Sequence, residues 1–296
     1  VIIVCLPTPL KIEKPDLSHI KSGWTKFKPF LKKGQILILE STTYPGCTED
    51  IFYKYLNNKF QIDKNFFLGY SPERENPGDK EYDFQNTPKV VSGIGKNSLE
   101  ICNLLYQLIV KKTKIAESIR IAEASKLFEN IYRSINIALI NELKIACEHL
   151  NLNTYSIIDI AGTKPFGYSK FFPGPGIGGH CIPIDPLYFS WISKKKGFEV
   201  KFIELSARIN KFRTNWIISE IKKIIKNHNK KKQKILLMGM AYKKNIEDTR
   251  ESASVKIFKG LLNNNTCQVN YCDPFVKKIS INKKIIKTLG YKKINY

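Results

Sequence analysis

Cys181 closes a glycine-rich stretch, Phe172-Pro-Gly-Pro-Gly-Ile-Gly-Gly-His180, and Ile-Pro-Ile-Asp185-Pro186 follows it. Gly174, Gly176, Gly178 and Gly179 would let a backbone approach a ligand closely, because no Cβ stands in the way. Asp185 is a suitable N-cap and Pro186 a suitable first helical residue. The pattern therefore predicts a helix from about Pro186 to Lys196, stopped at Gly197. The partial positive charge at that helix end would favour a thiolate at Cys181, the form that does covalent chemistry. A buried free cysteine beside a tight turn would have the same local sequence.

Other residues offer complementary chemistry. Lys126 and Asn130 are four apart in a helical pattern and share a face, which suits polarising a hydroxyl or stabilising an oxyanion. An ordinary polar helix face has the same spacing. Glu73 follows Ser71-Pro72 at the end of an apolar run, where a carboxylate can position water as a general base or simply pair with Arg74. Thr42 lies in Ser41-Thr42-Thr43 at another such end, where turn chemistry alone would also place it. Lys243, Lys244 and Arg250 flank a strand-to-helix turn, which is either an anion site or a solvated loop.

The elements that must position these residues alternate. Short apolar runs at 1–6, 35–40, 66–70 and 89–92 are predicted strands, with helices at roughly 16–33, 48–58 and 96–111 between some of them. That alternation predicts a parallel sheet with crossovers, and ligands bind at the carboxyl ends of such strands. Residues 121–150 form one long helical pattern without proline or glycine, with apolar residues beyond a single stripe, as a dimer-forming helix would have. Helices are also expected at 154–161 and 205–227. Past the run Lys230-Lys231-Lys232, read as a solvated linker, strands at 234–240 and 269–272 and a helix ending near Leu262 make a second α/β unit.

Bulk properties narrow the function classes. A length of 296 residues suggests about two domains, and 43% hydrophobic residues supports real cores. No apolar run reaches membrane-spanning length, and no signal peptide is visible. Seven cysteines without C-x-x-C or zinc spacing suit reduced thiols in a cytoplasmic protein, and four unclustered histidines argue against a metal site. The net charge of +23 raises the question of nucleic acid. The lysines are spread along the whole chain and no nucleic-acid motif occurs, so a basic surface that attracts an anionic small substrate is preferred.

Taken together, LPTP at 6–9, ESTTYPG at 40–46, YSPERENPG at 70–78, EASKLFEN at 123–130, PGPGIGGHCIPIDP at 173–186 and GMAYKKNIEDTRES at 239–252 resemble the UDP-glucose/GDP-mannose dehydrogenase family. The wording is most similar to its UDP-N-acetylhexosamine branch. The resemblance implies two Rossmann-like parallel-sheet domains joined by a helical middle. Its parts would be an NAD-binding domain over 1–115, a central dimerisation domain carrying the cysteine over 116–229, and the start of a UDP-binding domain from 230 to 296. It further implies NAD as cofactor, a UDP-sugar substrate, a homodimer or larger homo-oligomer, and a role in making a polysaccharide precursor.

By resemblance, Cys181 is the nucleophile, Lys126 and Asn130 stabilise oxyanions, Asp185 orients the water or lysine network, and Glu73 activates water. Thr42, Pro7 and Thr8 would lie by the nicotinamide and its ribose. Lys243 and Arg250 would contact substrate or cofactor phosphate, and Arg74, Phe172, Gly176 and Gly178 would line the substrate site. Two departures stand out. No G-x-G-x-x-G occurs; Gly93-Ile94-Gly95 lacks the third glycine. The expectation is an NAD domain missing its first strands, about 80 residues at about 30 per βαβ unit. Pro77 stands where UDP-glucose members often carry a second glutamate, which favours Glu73 as base and the N-acetylhexosamine branch. UDP-glucose oxidation, or a non-catalytic fragment that binds a sugar nucleotide, remain the alternatives.

Overall fold

The computed structural model describes residues 1–76, 79, 81–179, 181–227, 233–262 and 267–290. Pro77, Gly78, His180 and the lysine run at 230–232 lie outside these residues. The chain divides into two compact units, one of residues 1–131 with 184–200, the other of residues 132–183 with 201–296.

The first unit begins with β1 (Ile2–Val4), a two-residue hairpin of β2 (Leu10–Lys11) and β3 (Lys14–Pro15), and α1 (Ser18–Phe27). Next come β4 (Ile36–Leu39), a wide helical turn over Glu49–Tyr53 that runs into α2 (Lys54–Lys59), and β5 (Phe67–Tyr70). The unit continues with β6 (Lys89–Gly93), α3 (Lys96–Gln107), β7 (Thr113–Ile115) and the first half of α4 (Ile119–His149). The five-stranded sheet has the order β1-β4-β5-β6-β7. All four residues of β4 are buried, as befits a central strand covered on both faces.

The sheet is parallel, as expected, except at one place. β1, β4 and β5 are parallel, β5 and β6 are antiparallel, and β6 and β7 are parallel again. The cause is the connection: a parallel return needs a crossover, and no helix forms among the described residues of 71–88. The chain turns back, and the start of β6 meets the carboxyl ends of β4 and β5.

Two further helices match the expected positions. α5 (Thr154–Ala161) is capped by Asn153, whose side chain accepts from the backbone N–H groups of Tyr155 and Ser156. α6 (Asp185–Lys195) belongs to the first unit and stops at Gly197, which takes a left-handed φ of 85°. Asp185 is not its N-cap, contrary to the sequence expectation. Ile184 holds that place without a side-chain cap, and Asp185 is the first helical residue.

The second unit holds the rest of α4, α5, α7 (Lys201–Asn227), β8 (Gln233–Met238), α8 (Ala253–Leu262) and β9 (Cys267–Cys272). β8 and β9 pair in parallel across α8, the expected βαβ step. A hairpin of β10 (Lys278–Ile281) and β11 (Lys284–Lys287), unforeseen in the sequence, follows. Its turn residues Asn282 and Lys283 both take positive φ, the geometry of a tight two-residue hairpin loop. Met240, Phe258, Leu261, Val269, Tyr271 and Ile279 form the core of this region, with Ile218 and Ile221 of α7 packed against it.

Candidate active site

In the first unit the expected residues gather at the carboxyl ends of β1, β4 and β5. Thr8 is buried and its hydroxyl donates to the Thr42 carbonyl at 2.8 Å. Beside it the Ser41 hydroxyl accepts from the Leu6 N–H at 2.8 Å and donates to the Leu6 carbonyl at 2.7 Å. From α6, the Tyr188 hydroxyl reaches the carbonyls of Thr8 at 3.0 Å and Pro9 at 3.2 Å. The Pro7-Thr8 turn is thus fixed from both sides, with Pro7 exposed and Thr42 half-buried.

α4 and α6 bring three more together. The Asn130 amide donates to Asp185 at 2.5 Å, and both side chains are buried. Burial pushes the Asp185 carboxyl up to about 7, against the lowering effects of the Asn130 hydrogen bond and the Lys126 charge. Lys126 is half-buried and makes no hydrogen bond or ion pair among the described residues, so its ammonium is available to a ligand. One turn earlier, Glu123 is fully buried and accepts from Gly46 N–H at 2.5 Å, Thr48 N–H at 2.9 Å and the Thr48 hydroxyl at 2.7 Å. Burial lifts Glu123 to about 7 despite these donors. Glu123 ties the segment after Thr42 to the helix that carries Lys126 and Asn130.

Glu73 is held by its own backbone and by a residue the sequence reading did not single out. Its Oε1 accepts from the N–H groups of Arg74 at 2.8 Å and Glu75 at 2.7 Å, and its Oε2 receives Lys89 Nζ at 2.8 Å. Burial alone would raise this carboxyl. The Lys89 hydrogen bond and charge, with the two backbone donors, outweigh burial and hold it below the usual range. Arg74 is already engaged, with Glu129 at 2.9 Å and the Pro88 carbonyl at 2.8 Å. No sequence signal marked Lys89, since only the reversal of β6 brings it to Glu73.

In the second unit the glycine loop packs against protein. A Cβ on Gly178 would stand 2.7 Å from the Tyr242 Cβ, and one on Gly176 only 2.3 Å from the Thr214 hydroxyl. Gly179, at φ 86°, donates to the Arg250 carbonyl at 3.1 Å. Asn141 accepts from Gly174 N–H at 2.9 Å, Arg213 Nε donates to the Gly174 carbonyl at 3.2 Å, and Thr214 donates to the Pro175 carbonyl at 2.9 Å. The glycines expected to admit a ligand therefore admit the 242–252 segment and α7. Cys181 is exposed at the end of this braced loop.

Phe172 is exposed and stacks on Tyr155 with centroids 6.5 Å apart. Arg250 is exposed and forks onto Asp248, while Lys243 is half-buried. Asp273 fixes the ends of β8 and β9 by accepting from Met240, Phe275 and Val276 N–H groups. Among the described residues no cluster of three His, Cys, Asp or Glu side chains could hold a metal, and no helix is long and apolar enough to cross a membrane.

In the first unit the lysine–asparagine–carboxylate group and the ionised glutamate can support oxyanion stabilisation and hydrolysis, and in the second unit the exposed Cys181 thiol can add to a carbonyl. Models of the UDP-glucose/GDP-mannose dehydrogenase family match in order: the NAD-binding domain over residues 1–110, the central domain over 120–212 and the UDP-binding domain over 236–295. A UDP-N-acetyl-D-glucosamine 6-dehydrogenase of Pseudomonas aeruginosa is 38% identical over 284 residues, covering 93% of this chain and 66% of the relative. One from Salmonella typhi is 36% identical over 280 residues, with 93% and 65% covered. The chain thus spans just under two thirds of the length of these relatives. The solved UDP-N-acetyl-mannosamine dehydrogenase of S. aureus superposes with a TM-score of 0.83 at 31% identity, over 95% of this chain and 67% of that one. Similarity that runs through all three domain models and the whole order of motifs makes this chain a member of the UDP-glucose/GDP-mannose dehydrogenase family.

Proposed function

We propose that the protein oxidises the C6 alcohol of a UDP-N-acetylhexosamine, with UDP-N-acetylglucosamine preferred, to the carboxylate in two successive steps. The observation that carries this reading is the buried Asn130–Asp185 pair one helical turn from Lys126, which has no hydrogen-bond or ion-pair partner among the described residues. Such a group suits an alcohol that must lose a proton and an oxyanion that must be held.

The residues present fit the nicotinamide–ribose end of NAD. Pro7, Thr8 and Thr42 border the carboxyl ends of adjacent parallel strands, where dinucleotides bind, and the Thr8–Thr42 hydrogen bond fixes them there. NAD, when bound, would supply the acceptor for hydride from the sugar carbon. The remaining chemistry falls to the chain itself. Lys126 and Asn130 hold the C6 oxygen, and Asp185 orients Asn130 directly and attracts the Lys126 charge. Cys181 adds to the aldehyde as a thiohemiacetal, so the intermediate is retained, and after the second oxidation it carries the acid as a thioester. Glu73 positions and activates the water that releases it, since an ionised carboxylate fixed by three donors presents a defined acceptor. Lys243 and Arg250 contact the nucleotide phosphates, Arg74 and Phe172 contact the sugar, and Gly176 and Gly178 act indirectly, by letting the loop that carries Cys181 pack on Thr214 and Tyr242. Two copies associate through the apolar residues that α4 leaves exposed, including Tyr132, Leu139 and Leu143.

Support for the N-acetylhexosamine comes from the names of the relatives, which are dehydrogenases of UDP-N-acetylglucosamine or UDP-N-acetylmannosamine. The test is NADH formation by the full-length protein offered UDP-N-acetylglucosamine, UDP-N-acetylmannosamine and UDP-glucose in parallel. The expected result is two NADH per sugar, with kcat/KM highest for UDP-N-acetylglucosamine. No NADH with any of the three would overturn the reading, and preference for UDP-glucose would overturn the choice of substrate.

A further inference from the structure

Lys89 is one of the most deeply buried charged side chains in the protein, with 2% of its side chain exposed. It stands at the start of β6, which runs against β5, so its ammonium points to the carboxyl ends of β4 and β5. There it meets Glu73 Oε2 at 2.8 Å and Glu40 Oε1 at 3.3 Å. Its Nζ also lies 5.0 Å from the centre of the Phe84 ring and 5.2 Å from that of Tyr106.

The two carboxylates are not equivalent. Glu40 faces inward, 14% exposed, and is tied on both oxygens: Oε1 accepts from the Tyr106 hydroxyl as well as Lys89, and Oε2 accepts from Cys5 Sγ at 3.3 Å. Glu73 opens outward, with 41% of its side chain exposed. A carboxylate offers about four lone-pair sites. Three of those on Glu73 are filled, by Arg74 N–H, Glu75 N–H and Lys89. One remains on this partly exposed carboxylate, enough for a single water or hydroxyl.

We infer that Lys89 is a positioning residue for Glu73: it clamps Oε2 so that the carboxylate presents one free lone pair in a fixed direction, while Glu40 and Tyr106 anchor the clamp to the sheet. The inference rests on the proposed function only for what Glu73 then does, which is to orient the water of the hydrolytic step. Every group that faces the clamp bears on its charge. Glu40 and Cys5 follow β4 and β1, Cys102 and Tyr106 come from α3, and Glu73 follows β5. Among the described residues Lys89 is the cation that contacts both carboxylates, while the nearby Arg74 guanidinium is turned to Glu129 and the Pro88 carbonyl. Without Lys89, two carboxylates would share a partly buried site, and only the two backbone donors would oppose the rise that burial imposes on Glu73.

The test pairs a titration with a pH profile in the full-length protein. The Glu73 carboxyl is followed by carbon NMR, with its resonance assigned by loss in Glu73→Gln, in wild type, Lys89→Gln and Lys89→Arg. The rate of acid formation is measured over the same pH range. The expected result is that Lys89→Gln titrates Glu73 at higher pH, that the acid limb of the rate profile moves up with it, and that Lys89→Arg stays near wild type. Should Lys89→Gln fail to fold because Glu40 is left buried and unpaired, Lys89→Met combined with Glu40→Gln removes the pair together. The same upward move of Glu73 is then required. An unchanged Glu73 titration in the folded variant would overturn the clamp, and a moved titration with an unmoved rate profile would overturn its role in the reaction. Wild-type protein that forms no NADH would instead defeat the proposed function, and the carboxyl titration would still decide the clamp.

Discussion

Asp185 is a carboxyl kept near neutral pH by opposing effects: burial raises it, while Asn130 and Lys126 favour its charged form, with a net value of about 7 against 3.8 for a free side chain. The sign of its contribution to stability follows. Its folded value is raised, so the unfolded chain releases this proton first, and the stabilisation is complete below about 3.8 and lost as pH rises towards 7. Glu123, raised from 4.5 to about 7, acts in the same direction. Asp185→Asn keeps the shape and an acceptor for Asn130 but does not titrate. We expect its urea midpoint to fall less between pH 4 and 7 than that of wild type. Equal slopes would mean that Asp185 ionises as freely in the fold as outside it. At this scale the sequence was legible where partners are near in the chain, as for Lys126 and Asn130 on one helix face. It misled for Asp185, because a helix-capping motif has a local signature and a hydrogen bond to a residue 55 positions away has none.

At the scale of elements, the glycine loop and β6 differ in how far they could be foreseen. The loop between α5 and α6 was recognisable from its composition, but its glycines make room for Tyr242, Thr214 and Ser252. Gly178→Ala places a methyl 2.7 Å from the Tyr242 Cβ and 3.3 Å from the Ser252 Cα, against backbone that cannot rotate away. Overpacking of this kind costs about 1–3 kcal/mol. We expect a lower melting temperature and slower turnover, because the loop that ends in Cys181 must shift; a variant equal to wild type in both would show that the loop is free to move. β6 was placed correctly as a strand, but its reversal was not foreseen. Strand direction depends on whether the connection forms a helix, and a polar stretch such as 71–88 carries no periodicity that decides it. Lys89 consequently looked like an ordinary polar residue at the start of an apolar strand. The hairpin of β10 and β11 was missed for a related reason: its turn, Asn282-Lys283, lacks the glycine that usually marks one.

Across the whole molecule, the alternation of strands and helices was enough to predict an α/β protein, and the ordered motifs were enough to predict the family. The net charge of +23 is the one global property still to be accounted for. In the proposed function it attracts a substrate that carries a diphosphate. Screening sharpens with salt, from a Debye length of about 10 Å at 0.1 M to about 3 Å at 1 M. KM for the UDP-sugar should therefore rise several-fold between these concentrations while kcat changes little; a KM independent of salt would remove any role for the charge in capture. The central claim of the proposed function is a covalent intermediate on Cys181, and it can be tested directly. Glu73→Gln protein is mixed with NAD and UDP-N-acetylglucosamine, quenched in acid, digested and examined by mass spectrometry. We expect the Cys181 peptide to carry the sugar nucleotide as a thioester, since oxidation proceeds and its hydrolysis is slowed. An unmodified Cys181 peptide, with free acid released at the wild-type rate, would contradict both the nucleophile and the role of Glu73.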